Sequence, residues 1–448
     1  MSGCAIAPRM ADLKQSALRI FHETLAAIDI PLAMERKLCR TRSHIFVNGA
    51  PFDLATFERI CVVAIGKASA AMTRGLAETL LPDFRAEGIV VSPTRASALP
   101  EGFGAIIAGH PIPDMASFEA GQAILDFLAT TNQKSLVFFL LSGGGSALVE
   151  LPLDPRVTLQ DMQAVNRVLV TCGASIDEIN AVRKHLSAVK GGRLAVAARA
   201  AMKITLGVTD VPDGQESALA SGPTLPDPTT VSDACEVVRR YDLFSKLPPS
   251  VRTQFEHPEF IPETPKAGDP ALDPGRSLFQ ILLGRHDLFH AAHHASEAAE
   301  FVTVCDNSTD NWPVGKAVDF LLEQLGALKQ ASAGKSVAVI GDGEVSSPVR
   351  GNGVGGRNLA FVLDAVKKIA GRKIAVLSGG TDGIDGSSPA AGAVADGDTL
   401  SRAQSLGLDP VDYFQRSDSY SFFRALGDTI ETGPTGNNLR DLRILLAE

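Results

Sequence analysis

The amino-acid sequence predicts an α/β protein made of two domains, a larger doubly wound first domain and a smaller α/β second domain. Short apolar segments rich in β-branched residues alternate with segments of helical periodicity along the 448 residues. Most apolar segments are uninterrupted, which is typical of parallel strands covered by helices on both faces. A Pro-rich segment without sustained periodicity interrupts this alternation once, which favours two domains.

The apolar segments define a set of predicted strands, and an amphipathic helix is predicted before them over residues 11–30. The predicted strands are Arg59–Ile65, Gly88–Val91, Ala105–Ala108, Ser135–Leu141, Ile204–Val208, Gln280–Leu283, Phe301–Val304, Ser336–Ile340 and Lys373–Leu377.

The Pro-rich segment sets the predicted domain boundaries. We assign residues 1–247 to a larger first domain, residues 248–275 to a linker and residues 276–448 to a smaller second domain.

Composition narrows the class of partner. The formal net charge of -9 disfavours nucleic acid and anionic membrane, since both attract a basic surface. The longest apolar run, Leu136 to Leu141, is too short to span a bilayer, and no secretion signal is evident. The 6 cysteines are scattered and form no CxxC pair, which fits a reducing compartment. We therefore expect a cytoplasmic protein that acts on small molecules. The sequence is compatible with a homo-oligomer.

Two glycine turns directly follow predicted strands. Gly66 and Lys67 come after the first strand, where backbone N–H groups at a helix start could hold an anion beside the lysine. Ser142, Gly143, Gly144, Gly145 and Ser146 follow the strand that ends at Leu141. Three successive glycines carry an entropic cost, and a backbone nest around a phosphate is one reason to keep them. A solvent-facing lysine and a simple flexible turn are the alternatives.

Two further turns carry carboxylates after strands. Asp382 lies in the turn after the strand that ends at Leu377, and Asp210 follows the strand that ends at Val208. Carboxylates in such places could hold Mg²⁺ or orient a hydroxyl group, although Asp and Gly are also ordinary turn residues.

Cations are concentrated in two other segments of this acidic chain. Residues 180–193 include Arg183 and Lys190, which could meet a carboxylate or a phosphate, or could simply lie on a solvated helix face. Residues 350–358 contain a literal G-x-G-x-x-G pattern. The pattern does not follow a predicted strand directly, so it is weak evidence for a dinucleotide site and better suits a glycine-rich flap carrying Arg357.

Taken together, these segments resemble the class II glycerate kinases with a carboxy-terminal, leucine-rich MOFRL-type domain. The resembling segments occur in the family's order across nearly the whole chain. They are Ala64–Ala68, Gly109–Pro111, Ser142–Ala147, Asn180–Ser187, Ala220–Thr224, Gly351–Gly353, Gly355–Asn358, Gly380–Gly386 and Gly433–Gly436.

The resemblance implies a larger Rossmann-like first domain, a smaller α/β second domain and an active site in the cleft between them. It implies ATP-dependent phosphorylation of D-glycerate to 2-phosphoglycerate, with ATP and Mg²⁺ as cofactors. Lys67 and Arg357 would be the catalytic cations, one from each domain.

The remaining site residues are also carried over by position. Gly66 and the Ser142–Ser146 turn would bind the nucleotide phosphates, and Asp210 and Asp382 would hold Mg²⁺ or orient the hydroxyl. Arg183, Lys190 and Asn358 are the candidates for binding the substrate.

The chain departs from the family pattern in three places. Leu359 and Ala360 stand where the family usually has Gln-Glu, and Pro389 replaces an acid. The loop after Asp210 also differs. A kinase for another small sugar acid, an NAD(P)H-dependent hydroxypyruvate reductase and a member that has lost catalysis therefore stay open as alternatives.

Overall fold

The structure is a computed structural model that describes residues 12–80, 83–95, 98–209, 211, 214–437 and 439–448. The chain forms two compact units. The first comprises Ile30–Gly284, and the second joins Arg285–Glu448 to the chain that precedes Ile30. The predicted linker of residues 248–275 lies inside the first unit rather than between the two.

The α-helices are numbered in chain order. They are α1 (Leu13–Ala27), α2 (Ile30–Lys37), α3 (Ser69–Leu80), α4 (Met115–Ala129), α5 (Gly145–Leu148), α6 (Leu159–Thr171), α7 (Ile176–Leu186), α8 (Arg193–Ala197), α9 (Val231–Arg240), α10 (Pro249–Glu256), α11 (Arg285–Ala298), α12 (Val314–Ala331), α13 (Arg357–Ile369), α14 (Thr399–Ser405), α15 (Pro410–Gln415) and α16 (Ser419–Leu426).

The strands are numbered in the same way. They are β1 (Arg40–Thr41), β2 (His44–Val47), β3 (Ala50–Asp53), β4 (Arg59–Ile65), β5 (Ala86–Ser92), β6 (Phe103–Ile107), β7 (Ser135–Ser142), β8 (Met202–Val208), β9 (Ser277–Leu283), β10 (Val302–Asp306), β11 (Val337–Asp342), β12 (Ile374–Gly380), β13 (Gly392–Asp396), β14 (Thr429–Ile430) and β15 (Asp441–Ala447).

The first unit is built on a six-stranded sheet with the order β6-β5-β4-β7-β8-β9. All neighbouring strands in it are parallel. The chain moves outward from β4 to β6, then returns to β7 and moves outward on the other side. This is the doubly wound order, and the strand order reverses between β4 and β7. The predicted class of the first domain is confirmed.

Several helices of the first unit begin at residues whose side chains cap them. Asp114, Thr158, Ser175 and Thr230 accept hydrogen bonds from backbone N–H groups at the starts of α4, α6, α7 and α9, and each helix has the reciprocal bond of a capping box. The central strand β7 is buried along its whole length, as its apolar run predicts.

The second unit contains a mixed six-stranded sheet with the order β10-β11-β15-β12-β13-β14. Strand β15 lies between β11 and β12 and runs antiparallel to both. Its first residue, Asp441, therefore lies at the edge where β11 and β12 end. Helix α13 packs against this sheet and contributes Leu359, Phe361 and Val362 to the buried core.

Helix α1 belongs to the second unit, although it comes first in the chain. A methyl group added at Gly379 of β12 would lie 2.8 Å from the ring of Phe21, so the helix lies directly on the strand. The Asn437 side-chain amide donates to the carbonyl of Ile28 at 2.7 Å. The sequence predicted the helix but not the unit to which it belongs.

Every predicted strand corresponds to an observed one, with ends shifted by a few residues. The sequence analysis missed β13, β14 and β15 in the second unit, and β13 and β15 pair antiparallel with β12. None of the helices in the described ranges combines the length and apolar character that crossing a membrane requires.

We predict that Gly66→Ala destabilises the first unit far more than Gly173→Ala. Both glycines have positive φ, +126° and +87°, but a methyl group at Gly66 would overlap Ser142, whereas one at Gly173 would meet nothing within 4 Å. Backbone strain alone predicts a loss of about 1–2 kcal/mol for Gly173→Ala. Urea unfolding of both variants measures the difference, and equal losses would show that the contact with Ser142 is unimportant.

Candidate active site

The turns after β4 and β7 lie side by side, because these are the two central strands between which the sheet order reverses. The N–H of Lys67 donates to the carbonyl of Gly143 at 2.9 Å. The N–H of Ala68 donates to Oγ of Ser142 at 3.0 Å. Open α/β sheets bind ligands at this point, outside the carboxyl ends of the strands. We call the turns Gly66–Ala68 and Ser142–Ser146 the switch-point turns.

The backbone N–H groups of the first of these turns all donate to acceptors within the protein. In addition to the two bonds above, the N–H of Gly66 donates to the carbonyl of Val91 at 3.1 Å. The expectation that its backbone donors hold a phosphate is therefore not supported. The turn instead carries Lys67 and holds the second turn in place.

The second turn has backbone donors to offer. In the described part of the chain, the N–H groups of Gly144, Gly145 and Ser146 meet no hydrogen-bond acceptor. Gly144 has a φ of +87° and caps α5 without a side-chain bond. Donors without a protein acceptor at a strand end favour the predicted phosphate nest. Ser142, which is buried, serves to join the turns.

Ser146 is held by a chain of buried polar groups. Its Oγ lies 2.7 Å from Oγ of Ser221, whose hydroxyl donates to Oδ1 of Asn180 at 3.2 Å. Ala220 and Ser221 have φ values of +51° and +59°, which are uncommon for residues with a side chain. Such strain is kept where the surrounding structure demands it, and here it places Ser221 against the switch-point turn.

Two side chains flank Gly144. A methyl group added there would lie 3.1 Å from Nε2 of His110 and 3.5 Å from Cγ of Lys67. Burial, together with the nearby charge of Lys67, lowers the pKa of His110 below its usual 6.5. The sequence analysis did not assign His110 to the site. The available signal was its position in Gly109–Pro111, just after β6.

The two cations of residues 180–193 have different surroundings. Nζ of Lys190 is fully buried, 2.5 Å from Oε2 of Glu150 and 3.1 Å from the carbonyl of Val149. This placement favours a structural role for Lys190 over the predicted substrate contact. Arg183 donates through Nε to Oδ1 of Asn166 at 2.8 Å, and its Nη groups meet no hydrogen-bond acceptor among the described residues. Arg183 stays a candidate.

In the second unit, Arg357 is the first residue of α13 and is held by two carboxylates. Its Nε and Nη2 donate to Asp441 at 2.5 and 3.3 Å, and Nη1 donates to Glu344 at 2.7 Å. Partial burial works against the charge, but the two carboxylates outweigh it and raise the pKa of Arg357. Its side chain is 35% exposed, so part of the side chain stays accessible although all three guanidinium nitrogens donate to carboxylates. The sequence analysis did not predict either carboxylate.

Asn358 is buried and serves to position α13. Its backbone N–H and that of Leu359 donate to the carboxylate of Asp385 at 3.1 and 2.8 Å, and its side chain bridges Asp385 and Ser378. The predicted substrate contact through Asn358 is therefore not favoured. Burial raises the pKa of Asp385 to about 7, although its N–H donors favour the charged form.

Of the two predicted metal ligands, Asp382 and Asp210, the structure describes only Asp382. Asp382 follows β12 directly, is half-buried, and accepts from the N–H of Ile384 at 3.2 Å. Asp210 lies outside the described residues. Within the described ranges, no group of three or more His, Cys, Asp or Glu side chains could hold a metal ion.

The G-x-G-x-x-G pattern has a packing explanation. A methyl group at Gly353 would overlap Asp418, and one at Gly355 would overlap Ser419. The N–H of Gly353 donates to the carbonyl of Arg416 at 3.2 Å. The glycines thus let the loop lie closely on residues 416–419 before α13 begins, and a dinucleotide is not needed to account for them.

Two family models match the chain. The one described as "Domain of unknown function (DUF4147)" matches residues 16–256, and the one described as "MOFRL family" matches residues 337–441. A D-glycerate 2-kinase of Thermotoga maritima is 35% identical over 86% of this chain and 90% of its own. The chain belongs to the glycerate kinase family with a carboxy-terminal MOFRL domain.

A solved structure and a further protein are also similar to this chain. A crystal structure of glycerate kinase from Thermotoga maritima has a TM-score of 0.83 and 32% identity, and covers 97% of this chain and 99% of that one. A protein of Agrobacterium vitis named putative hydroxypyruvate reductase is 39% identical over 97% of this chain and 94% of its own.

The departures from the glycerate kinase pattern fall in two environments. Leu359 and Ala360 lie on the buried face of α13, in the apolar core of the second unit. Pro389 is exposed. Leu359 and Ala360 thus add apolar side chains to a core. They do not alter the carboxylates that hold Arg357.

We predict that Lys190→Met destabilises the protein by about 3–5 kcal/mol, since it leaves the buried carboxylate of Glu150 without its partner. Lys134→Met is the matched control, because its pair with Glu58 is 65% and 61% exposed. That control loses about 0.2–1 kcal/mol or less. Urea unfolding checks both, and adding Glu150→Gln to Lys190→Met recovers much of the loss.

A substrate role for Lys190 predicts a different outcome. In that case Lys190→Met leaves the unfolding midpoint unchanged and raises KM for the acceptor substrate instead.

Proposed function

We propose that this protein transfers the γ-phosphoryl group of ATP to D-glycerate and forms 2-phosphoglycerate. One observation carries the proposal: at the point where the strand order reverses, the N–H groups of Gly144, Gly145 and Ser146 have no acceptor among the residues that the structure describes, and they lie beside Lys67 and His110. Phosphoryl transfer is achieved mainly by positioning and by stabilising negative charge, and such a site can do both. The named activities of the kinase relatives support the choice of reaction.

The N–H groups of the second switch-point turn would hold phosphate oxygens, and the ammonium group of Lys67 would neutralise charge on the transferred group. The Nη groups of Arg183 meet no acceptor within the described ranges, and Arg183 is our candidate for binding the carboxylate of glycerate, whose geometry a guanidinium group matches well.

Arg357 has a more constrained role than a free cation. Asp441 and Glu344 hold its guanidinium in one orientation, and part of the side chain stays exposed. We propose that Arg357 is required for transfer and that its orientation matters as much as its charge. Lysine, which has no planar fork, could not satisfy both carboxylates in the same way.

Mg²⁺ would neutralise phosphate charge when it binds with ATP. The donor set fits this use, because Mg²⁺ in kinases is commonly held by one or two carboxylates together with substrate phosphates. Asp382 and Asp210 remain the proposed protein ligands. We also propose that the enzyme works in the cytoplasm. The cysteines that the structure describes are all free thiols, which supports a reducing compartment.

We predict glycerate-dependent release of ADP from ATP and Mg²⁺, with the 2-phosphate as the product in phosphorus NMR. Hydroxypyruvate with NADH is the parallel assay, because a relative bears the reductase name. NADH oxidation without glycerate-dependent ADP release would refute the proposal. Turnover only with other sugar acids would keep the kinase chemistry and change the substrate.

We further predict that Lys67→Ala and Arg357→Ala each lower kcat by about 100-fold or more, the usual cost of losing a group that stabilises transition-state charge. Arg357→Lys should restore little of that activity. Lys134→Ala is the control, since that side chain is 65% exposed and lies on the surface. Steady-state kinetics and unfolding midpoints are measured together, and near-normal turnover in either site variant would overturn its assignment.

A further inference from the structure

His110 lies beside the proposed phosphate site, and neither charge neutralisation nor substrate binding accounts for it. It follows β6, whose carboxyl end lies at the same edge of the sheet as the ends of β4 and β7. A methyl group at Gly144 would lie 3.0 Å from Cδ2 and 3.1 Å from Nε2 of the imidazole. The Cδ2–Nε2 edge of the ring therefore faces the turn that offers its N–H groups.

The reaction needs a proton acceptor at this place. A hydroxyl group that attacks a phosphoryl group loses its proton, and a side chain within hydrogen-bond reach of the hydroxyl can take it. If the transferred group rests on the N–H groups of Gly144, Gly145 and Ser146, the attacking oxygen lies next to it. Nε2 of His110 faces that same turn.

We propose that His110 accepts the proton of the substrate hydroxyl group, an inference that rests on the proposed function. The O–H bond breaks as the oxygen bonds to the γ-phosphorus, and the proton passes to Nε2. The bond from the γ-phosphorus to the β,γ-bridging oxygen breaks, and ADP leaves with its electron pair. His110 then returns the proton to solvent.

The charges around His110 keep it in the form that accepts a proton. Lys67 on the turn after β4 acts on the imidazole, and burial acts in the same direction, so both lower the pKa of His110. The turn after β7 carries no titratable side chain. Asp114, on the same loop as His110, is engaged in capping α4 through the N–H of Ser117 at 3.0 Å. Both effects favour the neutral imidazole, in which one ring nitrogen is unprotonated.

The test compares His110→Gln and His110→Ala with the wild-type protein, and uses His44→Gln, a substitution of an exposed histidine, as the control. We expect kcat to fall by about 100-fold in both His110 variants, within the usual range for loss of a general base. Affinity for ATP, measured by titration without glycerate, should change by less than about threefold, since uniform binding is retained.

The pH dependence separates a proton acceptor from a structural residue. We expect kcat/KM of the wild type to fall on the acid side, below the usual histidine pKa of 6.5, and this acid limb to vanish in both His110 variants. Because the same substrates are used throughout, their own titration cancels in the comparison. The His44→Gln control should keep the acid limb.

Three outcomes overturn the proposal. The first is a His110 variant that keeps the acid limb or a near-normal kcat. The second is a loss of ATP affinity that matches the loss of kcat/KM, which makes His110 a phosphate ligand instead. The third is a wild type that phosphorylates no glycerate, which also refutes the proposed function. An active wild type with unaffected variants refutes the role of His110 alone.

Discussion

The candidate site depends on the two hydrogen bonds that join the switch-point turns. They connect the backbone of Lys67 and Ala68 to Gly143 and Ser142 at 2.9 and 3.0 Å. The bonds can form only because Gly66 has no side chain, since a methyl group there would overlap Ser142. They fix the second turn, whose N–H groups at Gly144, Gly145 and Ser146 meet no acceptor among the described residues, next to the Lys67 side chain.

The rest of the first unit supports that junction. The parallel sheet brings the ends of β4, β6 and β7 to one edge, which is why three turns distant in sequence can meet. The side chains of Lys190 and Glu150 form a buried ion pair in the same unit, and Ser221, whose backbone φ is positive, contacts Ser146. A rigid surrounding of this kind is what electrostatic stabilisation requires, because donors that are already oriented need not reorganise during the reaction.

The second unit holds a cation, Arg357, at the start of helix α13. The backbone at a helix start itself carries partial positive charge, so the arginine needs negative partners there. Asp385 receives the N–H groups at this end of α13, while Asp441 and Glu344 hold Arg357. The side chains of Asp385, Asp441 and Glu344, from three separate segments, therefore contact the start of one helix and its arginine. Motif matching found Arg357 because it lies in a glycine-rich pattern. It gave no sign of Asp441, which lies in an ordinary apolar strand.

The sequence by itself determined the α/β class, the strands of the parallel sheet and the glycine turns that follow them. These features follow from local patterns: apolar runs, glycines at strand ends and residues that cap helices. Only the tertiary structure decided that Lys190 is a buried ion-pair partner, that His110 faces Gly144, and that α1 packs with the second unit. Burial and pairing depend on which distant segments meet, and one sequence carries no local signal of that. The antiparallel strand β15 was missed for the same reason, since its place between β11 and β12 is set by pairing across the sheet.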